Sequence, residues 1–531
     1  MPKSVVPATA GTHRSAAPGT EKWVPAFAGT AVLLLLLFRV GLVSPADAGE
    51  PASDRHVLHI LDRLAFGPRE ADLRHIEAIG VDRYIEEQLA PEAIDEPAEL
   101  TEKLAALDTL KLDPVRLFAE YGPLRPANGA KPDPEEQKAR RQRARVILEQ
   151  AQQARIWRAL YSRRQLQEVM TDFWFNHFNV FAGKGLDHLW IGAYEEQAIR
   201  PHALGKFRDL LGAVAHHPAM LFYLDNAQNA APGSKGPNGR EDGLNENYAR
   251  EIMELHTLGV DGSYTQDDVV ALARILTGWS LVRPAALPEQ GSGFVFYPAR
   301  HDQGEKHFLG QDIAAKGEAE GEQALDMLAR SPATARHIAF KLAQNFVADK
   351  PPRALVDRLA VRYGDTDGDI GAVLKTLLAS DEFRDSAGGK YKTPYRFVMS
   401  AARAAGAPVQ NPKPLLNILA RLGQPLYGCP TPDGYSDTEE AWLSPDASIL
   451  RVSFATALAR GKLPLGGEPT APDQQPAVKA PTETAPAPID AAALENLLGS
   501  GLSAHTHAAM EASPANLRAA LILGGPDFMR R

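Results

Sequence analysis

Cysteine is nearly missing from this 531-residue chain, because Cys429 is the only one. A single thiol cannot form a disulfide within the chain, so stability must come from a hydrophobic core, and we interpret Cys429 as a buried, unreactive thiol.

Basic side chains are also fewer than acidic ones. The 57 basic and 66 acidic side chains give a formal charge of −9, which disfavours a nucleic-acid partner because phosphate backbones require a clustered basic surface.

The common catalytic signatures are also missing from the sequence. It has no Gly-x-Ser-x-Gly nucleophile elbow, no phosphate loop ending in Gly-Lys-Ser or Gly-Lys-Thr, and no His-Glu-x-x-His zinc motif. Standard hydrolase and nucleotide chemistries therefore lack their usual markers. Any function has to be argued from the spacing of individual polar residues.

The first 48 residues have the organisation of an export signal. Residues 24–38 are apolar and include five consecutive leucines, and Ala46-Asp47-Ala48 fits the small-x-small cleavage pattern. This run is shorter than the roughly 20 residues that span a bilayer, and Arg39 ends it. We predict a signal peptide at 1–48 and a periplasmic or secreted protein. The alternative is an uncleaved N-terminal anchor, which would be the only membrane contact. The basic residues before the apolar run are Lys3, Arg14 and Lys22.

Almost every later segment has the apolar spacing of a helix. One helix should start near Asp133-Pro134 and run to Tyr161, since proline suits the first turn and acids suit the positive end of the helix dipole. Residues 291–297 form the only convincing short strand. The predicted fold is mainly α, a multi-helix globular array with at most a small β-hairpin near residues 291–310.

One change in composition divides the chain. Residues 463–490 are rich in Pro, Ala, Thr and Glu, which is typical of a mobile linker or an inserted loop. We therefore predict a helical core domain over 52–462, the linker over 463–490, and C-terminal helices over 491–531 that pack back on the core.

Residues 245–259 are predicted to form a helix with an acidic amide face. At about 100° per residue, Asn247, Glu251 and Glu254 fall within roughly 60° of one another. His256 lies about 180° from Asn247, so it cannot chelate a metal together with the two glutamates unless the helix breaks. The candidate catalytic residues of this helix are Glu251, Glu254 and His256, and the candidate binding residues are Glu246, Asn247 and Arg250.

A histidine among aromatic residues is a second candidate. His177 follows Phe173 by four positions and Trp174 by three, so aromatic side chains should surround it on a helix. Desolvation there favours the neutral imidazole, the form that ligates a metal or acts as a base. The alternative is a core histidine that a backbone carbonyl satisfies. Asn176, its neighbour, is a candidate binding residue.

His301 and Asp302 follow the predicted strand. A loop histidine beside a carboxylate can form a metal or acid-base site, in which the carboxylate orients the imidazole. Equally, the two can be turn residues in which the aspartate caps its own backbone. With His177, they are the candidate ligands of a divalent metal.

Several long motifs resemble those of the domain-of-unknown-function 1800 family of exported bacterial proteins. They are His-Ile-Leu-Asp-Arg-Leu-Ala-Phe-Gly-Pro at 59–68, Phe-Trp-Phe-Asn-His-Phe at 173–178, Leu-Asn-Glu-Asn-Tyr-Ala-Arg-Glu-Ile-Met-Glu-Leu-His-Thr-Leu-Gly at 244–259, Tyr-Thr-Gln-Asp-Asp at 264–268, Leu-Thr-Gly-Trp at 276–279, His-Asp at 301–302 and Gly-Gln-Pro-Leu at 423–426. The resemblance covers about residues 52–531. It implies a secreted, mainly helical protein of unknown activity, often encoded beside an exported sulfatase-like or phosphatase-like protein, and it brings no established catalytic residues.

Two functional hypotheses follow. The first is a noncatalytic binding protein of the cell envelope that works with the sulfatase-like exported partner. The alternative is a metal-assisted hydrolase, in which His177, His301 and Asp302 converge with a helix carboxylate and a metal activates water. A third, structural interpretation is that Glu246 and Arg250, four positions apart, only tie helices together.

Overall fold

The computed structural model describes residues 52–123, 131–234, 243–282, 288–467 and 487–531. The predicted signal peptide and the central part of the predicted linker, residues 468–486, lie outside the described residues. The described residues belong to one compact unit that spans 46–531. Within them, no helix combines the length and the apolar character needed to cross a membrane.

Helices dominate the first half of the described chain. They are α1 (Ala52–Leu64), α2 (Glu70–Ile79), α3 (Val81–Leu89), α4 (Ala98–Ala105), α5 (Pro114–Tyr121), α6 (Pro134–Tyr161), α7 (Gln165–His177), α8 (Ile191–Ala193), α9 (Phe207–His216), α10 (Pro218–Tyr223), α11 (Asn247–Glu251) and α12 (Gln266–Ile275). Two of them, α8 and α11, continue as π-helices over Tyr194–Ile199 and Ile252–His256.

The second half is also helical, after a short β region. The strands are β1 (Trp279–Leu281), β2 (Phe294–Phe296), β3 (Lys306–Phe308) and β4 (Gln311–Ile313). The helices are α13 (Glu318–Ala329), α14 (Pro332–Phe346), α15 (Arg353–Asp365), α16 (Ile370–Leu378), α17 (Asp381–Arg384), α18 (Pro394–Ala404), α19 (Lys413–Arg421), α20 (Glu439–Trp442), α21 (Pro445–Ala459), α22 (Ala491–Leu498), α23 (Ala504–Glu511) and α24 (Ala515–Gly524). The prediction of a mainly α fold is confirmed.

Local capping chemistry explains where several helices begin. The Asp133 side chain accepts hydrogen bonds from the backbone N–H groups of Glu135 and Glu136, and α6 then runs to Tyr161 as predicted. At α12, Thr265 and Asp268 form a reciprocal capping box. Such caps satisfy backbone donors that have no partner within the helix.

The β structure consists of two small antiparallel sheets, where one hairpin was predicted. β1 pairs with β2, and β3 pairs with β4 through a tight turn. The second hairpin was not predicted, because Leu309 occupies the first position of its turn at φ +47°, ahead of Gly310 at φ +77°. Asparagine, aspartate or glycine is usual at such positions. The Asp268 carboxylate supports the turn by accepting from the Leu309 N–H at 2.8 Å.

Helix α7 packs against α1, α3, α6 and the π-helical segment Tyr194–Ile199. The long helix α6 packs against α7 and α18, and α14 packs against α15 and α16. Trp174 on α7 is fully buried and donates from its indole N–H to the Ala203 carbonyl at 2.9 Å. At the other end of the described chain, α24 packs on α21, α22 and α23.

Candidate functional site

A cleft of about 300 Å³ lies beside the second half of α7. We call it the polar cleft. Its lining comes from α6, α7, the C-terminal half of α14, the first turn of α18 and the loop over residues 424–438, and it mixes aromatic rings with charged and amide side chains. Its volume is at the lower end of the range for small-ligand pockets. The buried lining residues, which we call the floor, include Arg155, His177, Tyr395, Arg396 and Tyr427.

Asn176 fixes one wall of the polar cleft. Its amide donates to the backbone carbonyl of Tyr435 at 2.8 Å and accepts from the Tyr435 N–H at 2.8 Å. Gly434 has φ +73°, and a Cβ at this position would collide with the Asn176 backbone oxygen. Asn176, a predicted binding residue, therefore lines the cleft while it holds the loop against α7.

Arg155 is the central cation of the floor. Its Nη1 lies 2.9 Å from Glu195 Oε2, and its Nη2 pairs with Asp172. Burial disfavours the charged guanidinium and so lowers the pKa of Arg155. The two carboxylates together have a larger opposite effect, so the pKa of Arg155 is raised. Three aromatic rings lie 5.0, 5.4 and 5.3 Å from its guanidinium: Phe175, Tyr395 and Tyr427.

The ionic network continues behind the floor. Glu195 Oε1 also accepts from Arg200 at 2.7 Å, and Arg200 in turn pairs with Glu168. Sequence analysis did not single out Arg155. One available signal was its position four residues after Ala151 on the buried stripe of α6, where an unpaired arginine would be costly.

His177 lies between the polar cleft and an adjoining groove, and it contributes to the lining of both. Its Nε2 donates to the backbone carbonyl of His256 at 3.1 Å. Burial, followed by the charges of Lys341, His337 and His256, lowers its pKa well below the ordinary value. This is the geometry of the core-histidine alternative, and it keeps the imidazole neutral.

The predicted helix over 245–259 changes form in its middle. From Ile252 to His256 it is π-helical, so the projection at 100° per residue does not apply beyond Glu251. The Thr257 hydroxyl donates to the Ile252 carbonyl at 2.7 Å, which closes this wider turn. His256 is buried, and both of its ring nitrogens lack a hydrogen-bond partner among the described residues. Burial lowers its pKa to about 3.

The glutamates of this helix lie near the adjoining groove. Glu254 lines the groove together with Asp433, His337 and Lys341. Partial burial, then the charges of Glu254 and Asp433, raises the pKa of Glu251. His177 and Glu254 therefore line one groove, and the His256 ring lies 6.1 Å from the His177 ring, centroid to centroid.

The other predicted binding residues of this helix do not line the polar cleft. Glu246 pairs with Arg250 at 3.1 Å and accepts from Gln266 at 2.7 Å, so it links α11 to α12. Asn247 is exposed and donates from its amide to the Leu224 carbonyl at 3.2 Å. These contacts fit the structural interpretation of Glu246 and Arg250.

His301 and Asp302 are not brought to the polar cleft. His301 Nε2 lies 3.0 Å from Glu320 Oε1, and Lys306 Nζ lies 2.6 Å from the other oxygen of the same carboxylate. Burial opposes ionisation of Glu320, but hydrogen bonds from Lys306 and His301 outweigh it and lower its pKa. We call His301, Lys306 and Glu320 the buried triad. Asp302 instead pairs with Arg274 at 2.7 Å, and this hydrogen bond lowers the pKa of Asp302.

The structure therefore does not unite the predicted metal ligands. His177 lies at the cleft, whereas His301 and Asp302 are committed to contacts near α12 and α13. Over the described residues, no group of three or more His, Cys, Asp or Glu side chains is arranged to hold a metal ion. The predicted meeting of His177 with His301 and Asp302 does not occur, because it depended on tertiary packing that spacing along the chain cannot reveal.

Three charged residues of the polar cleft have no ion-pair partner within 4.0 Å in the part of the chain that the structure describes. They are Lys341 on α14, Arg396 on α18 and Asp433 in the loop. Sequence analysis missed all three. Arg396 did carry a local signal, because it lies in the first turn of a helix that starts at Thr393-Pro394, where the helix dipole disfavours a cation.

Comparison with known proteins places the chain in a family without assigning a reaction. Comparisons with curated proteins and with solved structures gave no match. A family described as "Protein of unknown function (DUF1800)" matches residues 59–530, which is nearly the whole chain and includes every residue of the polar cleft. The chain therefore belongs to the DUF1800 family of proteins of unknown function.

Proposed function

We propose that this protein is a noncatalytic binding protein of the cell envelope, and that its polar cleft holds a saccharide segment of a cell-surface polymer. One observation carries the proposal: Lys341, Arg396 and Asp433 line the cleft and have no ion-pair partner among the described residues. Nearby charges such as Arg155 and Asp172 are paired. The unpaired ones are therefore available to a bound molecule.

The aromatic lining supports a saccharide as the ligand. Phe173 and Tyr435 are partly exposed rings at the cleft, and an aromatic face packs well against the C–H face of a sugar ring. The amides of Asn176 and Gln344 and the hydroxyl of Ser436 provide donors and acceptors for sugar hydroxyls. A few placed polar groups beside apolar surface are typical of a small-ligand site.

The proposal includes export and a partner. Export rests on the signal-like residues 1–48, and the sulfatase-like exported partner rests on the family resemblance. Cell fractionation and N-terminal sequencing of the mature chain test export. A mature protein that starts at residue 49 in the periplasm or medium is expected, and an uncut chain in the cytoplasm would contradict it.

Binding is tested by calorimetric titration of the purified protein with fractionated cell-envelope polysaccharides. We expect one fraction to bind, and Lys341→Met and Asp433→Asn to weaken its binding by roughly 10-fold or more, as the loss of a charged hydrogen bond should. Lys350→Met and Asp95→Asn are the matched controls, since both side chains are exposed outside the cleft. Equal affinity in cleft and control variants would refute the site.

Two results would favour an enzyme instead. Turnover of a glycan or a small molecule, lost in Lys341→Met without unfolding, would replace the binding proposal. A divalent ion in protein purified without chelator, together with a thermal shift on adding that ion, would favour the metal-assisted hydrolase alternative.

A further inference from the structure

Arg396 is a buried cation of the polar cleft with few partners. Its side chain lines the cleft, and the residue is 4% exposed. No carboxylate oxygen of the described residues lies within 4.0 Å of its guanidinium. The guanidinium makes one hydrogen bond among these residues, to the Ala65 carbonyl at 3.5 Å, and it lies 5.5 Å from the Phe66 ring. A buried guanidinium normally has several charge-assisted partners.

The carboxylates near Arg396 already serve other cations. Asp437 pairs with Lys390 at 3.3 Å and with Arg531 at 3.6 Å, and Asp62 pairs with Lys392 at 3.4 Å. None of these acids is left for Arg396.

Two further guanidiniums close to Arg396 are also incompletely satisfied. Arg63 and Arg531 are buried, and each has two guanidinium nitrogens without a hydrogen-bond partner in the described chain. Burial first, and then the charge of Arg531, lowers the pKa of Arg396 to about 9. A guanidinium stays protonated in proteins, so this region behind the cleft carries an excess of buried positive charge.

Two other features of the cleft add positive potential. Lys341 lines it from α14, and its ammonium makes no hydrogen bond or ion pair with any described residue. The N-terminus of α18, an eleven-residue helix, also opens here, because its cap Thr393 lines the cleft. The positive end of a helix dipole favours an anion.

We infer that the polar cleft contains an oxyanion subsite, in which Arg396 and Lys341 bind a carboxylate or sulfate group of the ligand. The inference rests on the proposed function and narrows its ligand to an acidic glycan. Arg396 presents a planar fork of donors suited to two oxygens of one group, and Lys341 supplies a second cation. The exposed Asp433 belongs to the part of the lining nearer solvent, where it is free to accept from sugar hydroxyls.

The test compares three oligosaccharides that share one backbone: a neutral one, a uronate form and a sulfated form. Calorimetry should show that an acidic form binds the wild-type protein more tightly than the neutral form. Arg396→Met should weaken binding of the acidic form by roughly 30-fold or more and leave the neutral form unchanged. The two acidic arms distinguish carboxylate from sulfate.

Thermal unfolding of the unliganded protein supplies a second readout. Because Arg396→Met removes an uncompensated buried charge, it should raise Tm by about 1–3 °C, whereas the loss of a structural arginine would lower it. Arg145→Met, which removes an exposed guanidinium from α6, is the matched control. Lys341→Met should also weaken binding of the acidic form.

The outcomes separate this inference from the proposed function. Binding of neutral and acidic forms with equal affinity, unaffected by Arg396→Met and Lys341→Met, would overturn the oxyanion subsite and leave a saccharide-binding cleft. Binding of none of the three forms would overturn both. A lowered Tm for Arg396→Met with unchanged affinity for the acidic forms would assign the residue a structural role.

Discussion

The Nε2 atom of His177 lies 3.1 Å from the backbone carbonyl oxygen of His256. A carbonyl only accepts, so the ring proton must be on Nε2, and the lone pair is on Nδ1. The carbonyl is available because His256 is the last residue of the π-helix, where carbonyls lack partners within the helix. The change from α- to π-helix thus joins two motifs that are far apart in the chain.

The same contact gathers three imidazoles. The ring centroid of His177 lies 6.1 Å from that of His256 and 6.0 Å from that of His337. Burial is the largest cause of the lowered pKa of each ring, to about 3 for His256 and about 4 for His337. All three are therefore neutral at physiological pH, and charging any one of them requires water to enter or the fold to open.

Stability should fall steeply as the solution becomes acidic. The buried histidines gain a proton in the unfolded chain near pH 6.5 but resist it in the folded chain, so the unfolded state binds more protons below that pH. Each such histidine removes up to about 1.4 kcal/mol per pH unit between pH 6.5 and its lowered pKa. Urea unfolding from pH 7.5 to 4.5 measures the slope. The histidines concerned are His59, His177, His217, His256 and His337.

The contribution of His256 to the pH dependence of the unfolding free energy can be measured with one variant. His256→Phe should flatten the dependence of the unfolding free energy on pH by about 1.4 kcal/mol per unit between pH 6.5 and 4.5, because one acid-sensitive ring is gone. His505→Phe removes an exposed imidazole and is the matched control. If both variants flatten the slope equally, burial is not its cause.

Sequence reasoning was successful where the determinants are local. The helix from Asp133-Pro134 and the capping box at Thr265 follow from side chains that bond to backbone groups within three residues. The mainly α fold follows from repeated apolar spacing. The role of Asn176 was predicted only as binding, and the structure adds that it holds the cleft wall.

The features that could not be predicted from the sequence depend on contacts between distant segments of the chain. Arg155 and Glu195 are 40 positions apart, and no local pattern pairs them. His256 left its projected face because the helix widened into a π-turn, which fixed periodicity cannot anticipate. His301 was predicted near a metal, yet its actual partner, Glu320, lies on the next helix. Side-chain partners across elements are set by tertiary packing, so the candidate site could be predicted only in part.

Loss of the Asn176 amide should loosen the cleft wall. Asn176→Ala removes two hydrogen bonds to the backbone of Tyr435 and should cost about 1–3 kcal/mol of unfolding free energy. Backbone amides of residues 424–438 should exchange with deuterium faster than in the wild type. Asn496→Ala, at an exposed position of α22, is the control. Unchanged exchange in the loop would show that the amide does not hold it.

Arg155 should be critical for folding. Arg155→Met leaves Asp172 without its cation partner and buried Glu195 with only Arg200, and the expected cost is about 3–5 kcal/mol. Urea unfolding gives the loss directly, and Arg145→Met on the exposed face of the same helix is the matched control.

Coupling between the partners of Arg155 is measurable by a double-mutant cycle. Adding Glu195→Gln to Arg155→Met removes a buried negative charge that has lost one of its two cation partners, so the double variant should lose less stability than the two single variants together. Additive losses would mean that the two side chains act independently, contrary to the 2.9 Å ion pair.

Lys306→Met should destabilise the protein without changing the polar cleft. The Lys306 and Glu320 side chains are both 0% exposed and lie 2.6 Å apart, so removing the ammonium leaves a buried carboxylate whose remaining side-chain partner is His301. The expected loss is about 3–5 kcal/mol of unfolding free energy. Lys316→Met, at an exposed position four residues before Glu320, should leave the unfolding free energy nearly unchanged.

Below its lowered melting temperature, Lys306→Met should bind oligosaccharide in calorimetry with wild-type affinity, because the buried triad does not line the cleft. Weakened binding with undiminished stability would instead make the triad part of the functional site.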